Sequence, residues 1–196
     1  MRGNIVNMLT VGFATLAIGS SFLFGTGANE SIHLSNTSVP AQIQVIAKAM
    51  DEPAQYYVEL AQVESSTNPM ATNPRSSAVG LYQFINSTWR TIVREYGKQY
   101  QLTYDGRTDV RQSVVAAILF TRDNSAYLEE RLDRPATNKE LYLAHFLGRN
   151  GAAELLTAEP NEPVVDVVGN HVVRANPSLK GKTVGQAIKI LTRGIS

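Results

Sequence analysis

The sequence contains no cysteine. That removes disulfides, thiol catalysis and thiolate metal sites together, and it leaves both redox compartments open. Histidine is also scarce. His33, His145 and His171 are the three in the chain, and none is spaced with Asp or Glu as a metal-ligand set. No metal and no cofactor are therefore expected. An excess of one charge is missing too: 18 Lys and Arg face 17 Asp and Glu. With Arg2 set aside, the remainder carries 17 of each sign, without a basic run of the kind that holds nucleic acid. There is no Gly-x-Ser-x-Gly elbow, and Gly148-x-x-Gly151 follows an expected helix rather than a strand, so it is no phosphate cradle. No internal repeat is visible.

What is present is an ordinary globular composition, 43% hydrophobic and 18% charged, with a distinctive start. Arg2 is followed by an uncharged run from Gly3 to Asn29 whose apolar centre spans 8–24. This is the charge and hydropathy order of a secretory signal peptide, with Thr26-Gly27-Ala28 as small residues for cleavage. A retained membrane anchor through residues 5–25 fits the same run, since its length nears what a bilayer requires. A buried N-terminal helix is the third reading. Residues 1–28 are thus expected to be a signal or anchor, and the body an exported protein of the periplasm or cell envelope. The polar stretch 29–39 reads as a linker.

The body, 40–159, reads as mainly α. Pro40 suits a first helical turn, and Ile43, Ile46 and Met50 continue it. Pro53 opens a second helix, on which Tyr57, Leu60, Ala61 and Glu64 share a face. Residues 66–80 form an Asn-, Pro- and Ser-rich loop. Asn86 or Ser87 is the expected cap of a helix carrying Trp89, Ile92 and Val93 and ending at Gly97. Asp109 starts an Ala-rich central helix. Thr137-Asn-Lys-Glu140 is a capping box before a helix that Gly148 ends. A short helix follows over 152–158, and Thr183 caps a last one. Strand signals occur only over 81–85 and 164–173. Residues 160–196 are expected to pack on the body as a C-terminal extension.

Glu64 is the residue to weigh. A carboxyl group on the buried side of a helix is costly unless paired or protonated, and burial raises its pKa toward what a general acid needs. A solvated glutamate at a helix end has the same pattern, and periodicity alone favours that plainer reading. Its neighbours shift the balance. Glu64-Ser65-Ser66-Thr67-Asn68-Pro69, then Ser76-Ser77-Ala78-Val79-Gly80-Leu81-Tyr82-Gln83-Phe84, with Thr88-Trp89 behind, resemble the first two motifs of the soluble lytic transglycosylase family, which is goose-lysozyme-like. The resemblance covers roughly 41–151 and more weakly the tail.

This resemblance implies a lysozyme-like helical domain with at most a small irregular β element near 66–85. It also implies cleavage of peptidoglycan glycan strands between N-acetylmuramic acid and N-acetylglucosamine. Glu64 matches the catalytic acid/base, which closes a 1,6-anhydro ring on the muramic acid. Ser65 and Gln83 match family positions that bind substrate, a helix-end polar residue and a loop-bracing amide being the plainer alternatives. Tyr82 stands where the family often has Met, as the floor of a sugar subsite or as core. In the third motif, Ala144-His145-Phe146-Leu147-Gly148, His145 stands at the usual Tyr and Phe146 at the usual Asn, so His145 is expected either to hydrogen-bond Glu64 in place of the Tyr or to be a core histidine. A hydrolytic muramidase using the same glutamate is the alternative. It would need a second carboxylate about 5 Å away or farther, for which Asp105 and Asp109 are the nearest later candidates, Asp109 more simply as a helix cap. A non-catalytic wall-binding assembly component is the alternative from another class. Family members serve wall turnover, secretion-system assembly and phage lysis, which makes secretion-system or phage components candidate partners.

Overall fold

The computed structural model describes residues 37–196. The expected signal or anchor, most of the linker and His33 lie outside them. Among the described residues, no helix is long and apolar enough to cross a membrane.

Among the described residues seven α-helices follow in order: α1 (Val39–Ala49), α2 (Ala54–Ser65), α3 (Asn86–Tyr100), α4 (Val110–Leu132), α5 (Asn138–Thr157), α6 (Val164–Ala175) and α7 (Val184–Leu191). The fold is mainly α, as expected. Helix α4 is the axle. Asp109 fixes its start by accepting the Gln112 N–H at 2.8 Å. From Ser113 to Leu119 every residue is buried, because α1, α2, α3 and α5 all pack against this helix. The capping box on α5 forms as well: Thr137 Oγ1 accepts from the Glu140 N–H, and the Glu140 carboxylate accepts from the Thr137 N–H at 2.8 Å. Arg134 grips the same carboxylate at 2.7 Å and holds it down at about 2.

Three local expectations need correction. The Val-rich stretch 164–173 is helical, not a strand. Val164 and Val168, one turn apart, enter a core cluster with Leu128, Leu143, Leu155 and Ala187, so burial on one helical face overrides the β propensity of valine. Helix α3 runs past Gly97 to Tyr100; Gly97 is buried, with the Leu102 carbonyl too close to leave room for a side chain. Neither Asn86 nor Ser87 caps α3 with its side chain. Ser77, from the preceding loop, accepts the Asn86 N–H at 3.1 Å instead. That loop makes only isolated bridges, Thr72 with Val79 and Val79 with Phe84, which is the small irregular β element anticipated there.

The C-terminal stretch closes back on the body. The Val164 N–H donates to the Lys182 carbonyl, the Val184 N–H to the Glu162 carbonyl, and Ser196 donates through N–H and Oγ to the Glu59 carboxylate on α2.

Two glycines separate strain from crowding. Gly148 (φ 76°, ψ 153°) breaks α5 in open space, whereas Gly80 (φ 86°) sits with its α-carbon against the Arg107 carbonyl. Gly148→Ala should cost only backbone strain, about 1–3 kcal/mol. Gly80→Ala adds a collision with backbone and should cost more. Urea denaturation of both variants checks this, and the reverse order would refute the close approach at Gly80.

Candidate active site

Helix α2 delivers Glu64 at its last turn and then stops abruptly. Ser66 and Thr67 follow in the left-handed region, at φ 53° and 60°. The Ser66 N–H returns to the Gln62 carbonyl and the Thr67 N–H to the Ala61 carbonyl. Consecutive left-handed residues without glycine store strain, and strain of this kind concentrates at functional sites.

The Gly80–Phe84 turn is bound to this helix end from several sides. Ser65 Oγ–H lies 2.8 Å from the Leu81 carbonyl and 3.1 Å from that of Ala61. The Tyr82 hydroxyl donates to the Tyr57 carbonyl at 3.2 Å. The Gly80 N–H donates to the Ala71 carbonyl at 2.8 Å, and Arg107 Nη1 donates to the carbonyls of Ser77 and Phe84. Gln83 is itself left-handed, at φ 48°. Its side-chain amide donates to the Gly80 and Ala71 carbonyls, 2.9 and 3.3 Å away. Both acceptors are carbonyls, so the amide nitrogen must face them, which leaves the amide oxygen free.

Glu64, Gln83 and His145 meet in one cavity of about 530 Å3, whose walls include Phe84, Phe120 and Phe146. Among the described residues lining it, Glu64 is the only carboxylate. Its side chain is 15% exposed. Burial, with no cation to offset it, pushes the carboxyl up to about 7. The hydroxyls of Tyr56 and Tyr142 are raised mainly by burial and also feel the Glu64 charge, which places both near the carboxyl group.

His145 makes no hydrogen bond to Glu64. Its Nε2 lies 3.9 Å from Glu64 Oε1, too far for a hydrogen bond, and 3.0 Å from the Tyr82 carbonyl. That carbonyl can only accept, so the ring proton resides on Nε2. Nδ1 then carries a lone pair and is buried without a partner. Phe84 and Phe120 close on the ring at 5.5 and 5.8 Å between centroids. Burial there holds the imidazole down at about 4, so it is neutral near pH 7.

Of the other expected site residues, Ser65 lies beside the cavity as the brace just described. Tyr82 is fully buried, with its hydroxyl occupied, so its ring is core and not a sugar-binding surface. Asp109 caps α4, Asp105 is an exposed loop residue, and neither lines the cavity. Sequence reading missed Phe120 as a wall residue; inside the apolar run of α4 it carries no signal that distinguishes it from core. It also missed a second depression of about 530 Å3, between α3 and α5, that shares Thr88, Phe120, Leu147 and Gly148 with the first. The two adjoin at those residues, and Glu95 and Asp123 line the second. Among the described residues, no cluster of His, Cys, Asp and Glu could hold a metal ion.

Residues 42–145, which carry Glu64, the turn and His145, match the family model described as the transglycosylase SLT domain.

The buried carboxyl has a thermodynamic consequence. The Glu64 pKa is higher folded (about 7) than its ordinary 4.5, so its contribution is fully favourable below pH 4.5 and is lost as pH rises through 7. Glu64→Gln removes that penalty. The variant should gain stability over wild type at pH 8 relative to pH 4.5, by up to about 3 kcal/mol. Denaturation curves at the two pH values test this; an equal difference at both would mean the carboxyl is not raised.

Proposed function

The chain belongs to the transglycosylase SLT domain family, whose members are lytic transglycosylases acting on peptidoglycan, and from that premise we propose that Glu64 is its general acid and base. The observation that carries this reading is a carboxyl held near pKa 7 in a cavity with no second carboxylate among its described lining residues.

In the proposed reaction Glu64 begins protonated. It donates to the glycosidic oxygen between N-acetylmuramic acid and N-acetylglucosamine, and the C1–O bond breaks with an oxocarbenium-like transition state. Glu64, now a carboxylate, takes the proton from the 6-hydroxyl of the same muramic acid while that oxygen bonds to C1. The product is a 1,6-anhydro sugar. Glu64 ends protonated, no water is consumed, and no partner carboxylate is required. A hydrolase would need a group to hold water opposite Glu64; among the described residues no other carboxylate lines the Glu64 cavity, and Glu95 and Asp123 line the depression beside it.

The remaining assignments follow from free atoms. The Gln83 amide oxygen is an acceptor for a sugar hydroxyl or N-acetyl N–H. Phe146, 36% exposed and stacked on Tyr142 at 6.3 Å, offers an apolar platform to a sugar face. The adjoining depression at Gly148 suits a polymer rather than a disaccharide. Ser65 acts through the turn as a positioning residue. Residues 1–28 would carry the enzyme out of the cytoplasm to the wall.

Glu64→Gln should lower glycan cleavage at least a hundredfold while leaving strand binding intact. Mass analysis of the released fragments should show ends lighter by one water than those of a hydrolase. Wall digestion that survives Glu64→Gln would refute the acid/base role, and hydrated ends would make the enzyme a muramidase. Because Glu64 must start protonated, kcat/KM should fall about tenfold per pH unit above about 7.

A further inference from the structure

Helix α3 carries Arg90, Arg94 and Lys98 at spacings of four, all exposed. Like charges one turn apart repel and cost helix stability. Among the described residues, the ion pairs involve Arg122, Arg134 and His145, and none of these three cations. Glu95, the acid on this helix, lines the opposite depression between α3 and α5.

Arg90 and Arg94 line a depression of about 560 Å3 with Asn86, Trp89, Tyr104 and Arg107. Tyr104 projects into solvent, 65% exposed. Arg107 comes from the turn Gly106–Thr108, and its Nη1 supports the carbonyls of Ser77 and Phe84. Asp105 is the nearest acid in this loop, and its carboxylate is held below its ordinary range by the Thr103 hydroxyl rather than by any of these arginines.

The depression and the Glu64 cavity meet at consecutive residues. Phe84 and Ile85 line the cavity; Asn86, the next residue, lines the depression; Arg107 spans the back. The cationic depression thus adjoins the cavity along the chain, at Ile85 and Asn86. Peptidoglycan carries a short acidic peptide on the lactyl group of each muramic acid, and those carboxylates are what a face of unpaired guanidinium groups and a phenol would recognise. A uniformly basic nucleic-acid surface is excluded by the even charge of the rest of the chain.

Resting on the peptidoglycan reading above, we propose that Arg90, Arg94 and Lys98, with Arg107 and Tyr104, form a second binding site for the carboxylates of the stem peptides, so that the enzyme engages peptide-bearing strands in preference to naked ones. The contacts are exposed and screened by salt, so each is weak and their sum is moderate.

The test compares full-length Glu64→Gln protein with the same protein also carrying Arg90→Gln and Arg94→Gln. Binding is measured by fluorescence anisotropy to labelled glycan strands with their stem peptides and to strands stripped by an amidase. The added substitutions should raise Kd for peptide-bearing strands about fivefold at low salt, leave it unchanged for stripped strands, and lose their effect at about 0.5 M salt. The melting temperature should hold or rise slightly, because the substitutions relieve a repulsion. Equal weakening on both strands, or none on either, overturns the proposal. Vesicles containing phosphatidylglycerol form the third arm: loss of vesicle binding with strand binding intact would assign the face to a membrane and overturn it as well. Failure of the Glu64→Gln protein to bind any strand would instead remove the substrate reading itself, which separates the two failures.

Discussion

Glu64 keeps a neutral carboxyl group because the protein surrounds it without offering it a positive charge. Among the described residues that line the cavity, the one ionisable base is His145, 3.9 Å away. A protonated imidazole at that distance would favour the carboxylate by about 4 kcal/mol at an effective dielectric of 20. That would pull Glu64 well below neutrality and end the acid role proposed for it. The neutrality of the histidine is thus a condition for the protonation of the glutamate. Two features secure it. The Tyr82 carbonyl holds the single proton on Nε2, and Phe84 and Phe120 keep water from stabilising a second one.

The same pair makes the pH dependence of folding partly self-cancelling. A carboxyl raised to about 7 destabilises the fold as pH rises above 4.5. A histidine lowered to about 4 destabilises it as pH falls below 6.5. Between those ordinary values the two slopes are opposite in sign, so wild type is flat where either group alone would slope. The site accepts the cost of two desolvated titratable groups to hold both uncharged.

Positioning explains why the residues around Glu64 are built as they are. Ser65, Tyr82 and Gln83 follow the pattern of substrate contacts, yet their hydrogen-bond donors all close onto backbone carbonyls: Leu81 and Ala61, Tyr57, and Gly80 and Ala71. Their work is to lock a turn containing left-handed Gly80 and Gln83 against a helix end containing left-handed Ser66 and Thr67. Such backbone holds its shape only when its surroundings over-determine it. This also marks the limit of what the sequence reveals. The Asp109 cap and the Thr137 and Thr183 capping boxes are legible because both partners lie within three residues. The segment 164–173 is not legible, because its helical state depends on burial against α5 and α7, which no local propensity encodes. The role of His145 is hidden for the same reason: its acceptor lies 63 residues earlier, and only the packed fold shows that Tyr82, not Glu64, takes its proton.

The departure of the third motif from its usual form then has a physical meaning. A tyrosine hydroxyl can donate one proton and accept another, so it can bond a carboxyl group in either protonation state. A neutral histidine fixed as the Nε2–H tautomer can only donate from that edge, and here it donates to a carbonyl. The carboxyl of Glu64 is left with its burial as the dominant influence, near Tyr56 and Tyr142. An acid poised by desolvation alone depends on how well the cavity excludes water, and a strand occupying the cavity deepens that exclusion. Substrate binding would then raise the Glu64 pKa further, protonating the acid as the glycosidic oxygen arrives. Having given up its proton, the same group is the carboxylate that, in the proposed reaction, takes the proton from the 6-hydroxyl while the walls still exclude water. In the proposed mechanism the hydrophobic walls at Phe84, Phe120 and Phe146 would therefore help to set the protonation of Glu64, although none of them titrates.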